Sequence, residues 1–63
     1  MQKTKAHQLA EDALAPELRD AFNMLVTEYK ESCERHTSDH SKRVNYNILA
    51  DLVKAGWRKS NPN

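Results

Sequence analysis

Apolar residues recur along this chain at the three- and four-residue steps of an amphipathic helix. The sequence contains no stretch of strict two-residue alternation, the pattern of a half-buried strand. It also has one Gly and two Pro, too few for the turn every 8–12 residues or so that a protein of short strands requires. The pattern predicts an all-α fold, a small three-helix bundle that forms one domain over residues 1–63.

The first predicted helix is short and carries one apolar stripe. Thr4 is placed as its N-cap. The helix is predicted to end at Pro16, because the residue before a proline disfavours helical geometry. A continuous helix kinked at Pro16 is the alternative. The apolar stripe comprises Ala6, Leu9, Ala10, Ala13 and Leu14.

The second predicted helix, from about Pro16 to about His36, is the longest. Glu17 and Asp20 fall in its first turn and Arg35 in its last, an order that suits the helix dipole. Its core-facing stripe comprises Leu18, Phe22, Leu25, Tyr29 and Cys33, flanked by Ala21 and Val26.

A short polar segment separates the second helix from the third. Asp39 or Ser41 is placed as the N-cap of the third helix, which is predicted over residues 42–55. The short loop predicts that the second and third helices pack antiparallel. Gly56 is placed just beyond the last turn, where left-handed backbone is favoured. Residues 58–63 contain no apolar side chain and are predicted to form a disordered tail.

The third helix has more apolar circumference than one neighbouring helix can cover. Its apolar positions span roughly 220°, whereas packing against one neighbour needs only about 100°. The helix therefore lies between the other two or presents an apolar strip to a partner. Val44, Ile48, Leu52 and Ala55 form one stripe, and Leu49, Val53, Tyr46 and Trp57 extend the arc.

The far side of this arc is interpreted as a partner-binding surface. Only seventeen apolar side chains are larger than alanine, and chains this short often need a partner subunit. Trp and Tyr also contribute strongly to binding energy at interfaces. The predicted function is a small non-enzymatic interaction or regulatory module, homodimeric or bound to another protein. The predicted contact residues are Tyr46, Leu49, Val53 and Trp57, with Met24 on the second helix.

The charge distribution supports an alternative, a small nucleic-acid-binding protein. The net charge is +1, but residues 1–5 carry +2, residues 6–41 carry −5 and residues 42–63 carry +4. Basic side chains would contact phosphates and Trp57 would stack on a base, whereas Asp51 would repel phosphate. The same segregation suits pairing between copies of the chain. The residues of this alternative are Arg43, Asn47, Lys54, Arg58 and Lys59.

One polar stretch has a composition that suits metal binding, since Cys33, His36, Asp39 and His40 lie within eight residues. Cys33 and His36 share a helix face, and a bend would bring a further ligand near. Structural zinc sites, however, normally draw their ligands from two separated pairs. Cys33 also lies on the buried stripe, where a free cysteine is an ordinary core residue. We therefore interpret these residues as structural and predict no metal and no cofactor.

The sequence gives no support for catalysis. No third group is placed to orient a Cys33–His36 pair, and one Gly excludes a glycine-rich phosphate loop. The chain is too short to enclose a pocket on the order of several hundred Å³. Four carboxylates are expected on solvated helix faces: Glu11, Asp12, Glu17 and Asp20.

The predicted location is the cytoplasm, without a membrane anchor. No apolar run approaches the roughly 20 residues that span a bilayer, and the polar start lacks the apolar stretch of a signal peptide. A single Cys allows no internal disulfide, so an oxidising compartment is not required.

Overall fold

The computed structural model describes residues 3–35 and 38–59. These residues form α1 (Lys5–Asp12), a 3-10 turn (Pro16–Leu18), α2 (Arg19–Glu34) and α3 (Asp39–Lys54), without a strand. α2 and α3 pack antiparallel. α1 packs mainly on α3 and to a lesser extent on α2. The predicted three-helix bundle is confirmed, with α3 as the central helix. Within the described ranges, no helix combines the length and the apolar character needed to cross a bilayer.

The break between α1 and α2 follows the predicted capping and proline rules. The Thr4 hydroxyl accepts a hydrogen bond from the His7 amide at 3.4 Å, which confirms Thr4 as the N-cap. Ala15 has an extended backbone, with φ −59° and ψ 144°, because the ring of Pro16 excludes helical geometry at the preceding residue. α1 ends at Asp12, earlier than the predicted end beside Pro16, and Pro16 opens the 3-10 turn that leads into α2.

α3 begins earlier than predicted because a different residue caps it. Ser38 Oγ accepts a hydrogen bond from the Ser41 amide at 3.1 Å. Asp39 is then the first helical residue, where its charge suits the helix dipole. The predicted caps, Asp39 and Ser41, are wrong, since three residues able to cap a helix lie close together and the first of them is used.

The C-terminus of α3 confirms the predicted role of Gly56. Gly56 has φ +115°, which L side chains rarely adopt. Its amide donates to the Val53 carbonyl and the Trp57 amide donates to the Leu52 carbonyl, each at 3.0 Å. These two bonds define a Schellman motif. Trp57 is half-buried and packs against the core. Of the predicted tail, residues 60–63 lie outside the described part of the chain.

The three helices enclose one apolar core. The buried face of α1 differs from the predicted one. It includes His7 and Glu11 beside Ala6 and Ala10, whereas Leu9 is exposed. Tyr29, assigned to the buried stripe of α2, is also exposed. The core residues are Ala6, Ala10, Leu14, Ala21, Phe22, Leu25, Val26, Cys33, Tyr46, Leu49, Ala50 and Val53.

Candidate interaction surface

Three large apolar side chains form a line along the outer face of α3. Val44, Ile48 and Leu52 are 43%, 51% and 46% exposed. They are four residues apart, so at about 1.5 Å per residue the line runs for about 12 Å along the helix. We call these three residues the α3 strip. It lies on the side of the helix opposite the core.

A shallow groove between α2 and α3 borders the α3 strip. Tyr29, which is 49% exposed, lines it from α2, and Ile48 lines it from α3. The groove has a volume of about 200 Å³, and its other lining residues are Ser32, Cys33, Asn45 and Leu49. Tyr29 thus extends the strip into one surface over two helices. We call Tyr29 and the α3 strip together the outer apolar surface.

The boundary between core and surface on α3 differs from the predicted one. Tyr46 and Val53 are fully buried and Leu49 is nearly so, so these three predicted contact residues belong to the core. Their face turns inward because α3 packs against α1 on one side and α2 on the other. Met24 is exposed on α2, on the side of that helix away from Phe22. A binding role for Met24 and half-buried Trp57 stays a prediction.

One carboxylate connects all three helices. Glu34, at the end of α2, accepts hydrogen bonds from the hydroxyls of Thr4, at 2.6 Å, and Tyr46. It also pairs with Lys42 of α3, with Nζ 3.6 Å from Oε1. Burial alone would raise the pKa of Glu34, but the bonds from Thr4 and Tyr46 and the charge of Lys42 lower it. Burial and the neighbouring carboxylate raise the pKa of Tyr46.

A second polar network connects α1 to α2. His7 Nε2 bonds Asn23 Oδ1 at 2.9 Å, Asn23 Nδ2 donates to Glu11, and Lys3 Nζ donates to Glu11 at 2.6 Å. The hydrogen bonds from Lys3 and Asn23 lower the pKa of Glu11. The expectation that Glu11 lies on a solvated face is wrong, because the residue is buried. The hydrogen bonds from Lys3 and Asn23 compensate the burial of its carboxylate.

The His7 ring is buried between the helices. With Asn23 Oδ1 as the acceptor, the ring proton is assigned to Nε2. Nδ1 is buried and has no hydrogen-bond partner among the described residues. Burial lowers the pKa of His7, which the hydrogen bond to Asn23 only partly offsets. A proton on Nδ1 would therefore place an unpaired charge in the core.

The residues considered for metal binding do not form a described site. Cys33 is buried, and burial raises the pKa of its thiol, which disfavours the thiolate that a metal requires. Asp39 and His40 are exposed at the start of α3, and His36 lies outside the described residues. Within residues 3–35 and 38–59, no three His, Cys, Asp or Glu side chains are placed to hold a metal ion.

The residues of the nucleic-acid alternative are accessible, but they do not form a uniform basic patch. Asp51 lies among them, with Oδ1 3.9 Å from Lys54 Nζ. Arg58 donates to the Val53 carbonyl at 3.3 Å, so its guanidinium contacts the last turn of α3. All five predicted residues are exposed: Arg43, Asn47, Lys54, Arg58 and Lys59.

Sequence reasoning missed both polar networks, although α1 carried a signal. His7 and Glu11 directly follow Ala6 and Ala10, so all four positions share one helix face. Polar residues on an apolar face must be paired when that face is buried. Their partner Asn23 lies sixteen residues beyond His7, and periodicity within one helix does not identify such partners.

The chain matches no protein-family model, no curated protein and no solved structure.

Proposed function

We propose that this protein is a small non-catalytic interaction module that self-associates through the outer apolar surface. One observation carries the proposal. α3 is already packed by α1 and α2, yet Val44, Ile48 and Leu52 remain about half exposed in one line. A central helix of a monomer needs apolar side chains only where it faces its neighbours. α3 has a second row of apolar side chains, which faces solvent.

A second copy of the chain is the occupant that this surface fits best. Three apolar side chains at four-residue spacing on one helix can pack against the same row of another copy, which gives an isologous contact. The surface has an apolar centre with polar groups such as Ser32, Asn45 and Asp51 around it, the usual anatomy of an interface. Burying it adds apolar area to a core that is small for 63 residues.

The biological role that we propose is regulatory or accessory and cytoplasmic. A module of this size acts by binding rather than by enclosing a substrate. Its single cysteine is buried, and no disulfide within the chain requires an oxidising compartment.

Sedimentation velocity at about 0.1 mM tests the proposal, since dimers with ordinary apolar interfaces persist far below that concentration. We expect the native chain to sediment as a dimer and Ile48→Asp as a monomer with unchanged helix content. Asn47→Asp is the matched control, because it adds the same charge at a neighbouring exposed position outside the α3 strip. A monomeric native chain, or a dimeric Ile48→Asp variant, contradicts the proposal.

A titration of the native chain with mixed-sequence DNA and RNA distinguishes the nucleic-acid alternative from the proposed self-association. At about 50 mM salt, phosphate contacts are only weakly screened. Binding at that salt concentration that is lost on Arg43→Ala would favour the alternative over self-association. Absence of binding removes it.

A further inference from the structure

We infer that a cleft between the N-terminal ends of α1 and α3 binds a phosphate monoester, with the phosphate held by Lys5, Lys42 and Arg43. The cleft has a volume of about 260 Å³ and is lined by residues of these two helices and the N-cap of α1. It lies on the α1 side of α3, away from the outer apolar surface. The site is therefore independent of the proposed self-association.

The N-terminal ends of α1 and α3 lie together at one end of the bundle, because the two helices run in the same direction. Thr4, the N-cap of α1, lines the cleft together with Asp39, the first residue of α3. Further along the same two helices, His7 stacks on Tyr46. Each helix carries a partial positive charge at its N-terminal end, so both helices contribute a positive potential to the cleft.

Three cationic side chains line the cleft beside these helix ends, Lys5 from α1 and Lys42 and Arg43 from α3. Asp39 is the one carboxylate among the described residues that line it, which leaves an excess of two positive charges. Lys42 pairs with Glu34 outside the cleft, at 3.6 Å. Lys5 and Arg43 are exposed, and no carboxylate of residues 3–35 and 38–59 lies within salt-bridge distance of either.

This placement of charge is unfavourable in the free protein. A cation in the first turn of a helix opposes the helix dipole, and α1 has Lys5 in that turn and no acidic residue. Lys42 and Arg43 follow directly after the first turn of α3. A dianion in the cleft reverses the balance, because it interacts favourably with both helix ends and with the cationic side chains.

The charge and the apolar wall of the cleft together indicate a phosphate monoester. A monoester carries about 1.5–2 negative charges at neutral pH, which matches the positive excess, whereas each phosphate of a nucleic-acid backbone carries one. Ala6 and Leu9 line the cleft from α1, and Leu9 is 37% exposed. The Leu9 side chain offers an apolar contact to the group that the ester carries.

An NMR titration of the native chain with phenyl phosphate tests the site. NaCl holds the ionic strength constant, so that changes in screening do not contribute. We expect saturable shifts of the amide signals at the N-terminal ends of α1 and α3. Benzoate has the same ring and one charge, and is expected to bind about tenfold more weakly. Shifts that do not saturate, or equal affinity for benzoate, would overturn the inference.

Arg43→Gln and Lys54→Gln form a matched pair for this titration. Each removes one exposed cation from α3, but Arg43 lines the cleft and Lys54 does not. We expect Arg43→Gln to weaken the binding of phenyl phosphate about fivefold or more, and Lys54→Gln to leave it unchanged. An equal loss in both variants would indicate attraction to positive charge in general and not to this cleft.

Thermal unfolding of Lys5→Gln gives a second measurement. Removing the cation from the first turn of α1 is expected to raise the Tm by about 2–5 °C in phosphate-free buffer. The further rise in Tm that phenyl phosphate causes in the native chain is expected to shrink in this variant. A lower Tm without phosphate, or an undiminished rise with it, would contradict the inference. Both measurements can be made on a monomer or a dimer, so the proposed self-association is judged separately.

Discussion

The imidazole ring of His7 stacks on the phenol ring of Tyr46, with ring centroids 5.1 Å apart and planes inclined by 10°. The Phe22 ring also contacts His7 in a T-shaped arrangement, with centroids 5.6 Å apart and planes inclined by 69°. The stack joins the two polar networks, because His7 bonds Asn23 while Tyr46 donates to Glu34. Two aromatic rings that both have polar partners therefore contribute to the contact between α1 and α3.

Acidification is expected to destabilise the protein in two steps. The pKa of His7 is lowered from 6.5, so the unfolded chain binds a proton that the folded chain resists. Stability is therefore complete above about pH 6.5 and falls as the pH drops toward the folded pKa. The pKa values of Glu11 and Glu34 are lowered from 4.5, and their contribution is lost at lower pH. Urea midpoints from pH 7.5 to pH 3 measure both steps.

The matched pair for this prediction is His7→Gln and His40→Gln. The first removes the buried titrating group and is expected to abolish the loss of stability that begins below about pH 6.5. The second changes an exposed histidine at the start of α3 and is expected to keep it. Identical profiles for the two variants would show that His7 is not the group responsible.

Removing the Tyr46 hydroxyl is expected to reduce stability. Tyr46→Phe leaves Glu34 without one of its donors, and hydrogen bonds to charged groups are worth about 1.5–3 kcal/mol. Tyr29→Phe, which removes the same atom from an exposed ring, is expected to change stability by less than about 0.5 kcal/mol. Chemical denaturation at pH 7 measures both. A double-mutant cycle with Glu34→Gln then isolates the coupling, and additive effects would contradict a direct bond.

Neighbouring residues on α3 test the boundary between core and surface. Val53 is fully buried and Leu52 is about half exposed. We expect Val53→Ala to cost about 2 kcal/mol. Leu52→Ala removes more atoms and yet is expected to cost less in the free energy of unfolding of the monomer, because much of its surface is already in water. Both substitutions are measured in the Ile48→Asp background, which is expected to be monomeric. A larger loss for Leu52→Ala would place the strip inside the core.

Gly56→Ala is expected to destabilise the C-terminus of α3. An added Cβ meets no atom within 4 Å, so the cost is backbone strain at φ +115° rather than a clash. Left-handed geometry costs an L residue about 1–2 kcal/mol. Thermal unfolding of Gly56→Ala is compared with Ala55→Gly, which changes the adjacent cap residue. A stabilising effect of Gly56→Ala would contradict the role assigned to this glycine.

The sequence predicted the elements of the fold well because their signals are local. Thr4, Pro16 and Gly56 each act on the backbone within one turn, and all three perform their predicted roles. The cap of α3 was misassigned to Asp39 or Ser41 because Ser38, Asp39 and Ser41 have similar capping ability. The choice among them depends on where the chain leaves α2, which local rules do not specify.

The candidate surface was predicted only in part, because the direction in which a helix faces depends on its neighbours. An apolar arc of roughly 220° correctly indicated more apolar surface than one neighbour covers. The sequence assigned the outer part to Tyr46, Leu49 and Val53, whereas α1 packs on that side and the exposed part is the α3 strip. Where α1 docks is set by His7, Asn23 and Glu34, whose pairings span distant parts of the chain.

The meeting of three helices at Glu34 has a consequence for how this protein opens. Glu34 belongs to the last turn of α2, and its side chain bonds the N-cap of α1 and the first half of α3. When one helix separates from the bundle, the Glu34 carboxylate loses part of its hydrogen bonding. The packing of the other two helices against each other is then weakened as well. Amide protons in α1 and α3 should therefore exchange with solvent in a single concerted event, and the short α1 should not fray independently of the rest.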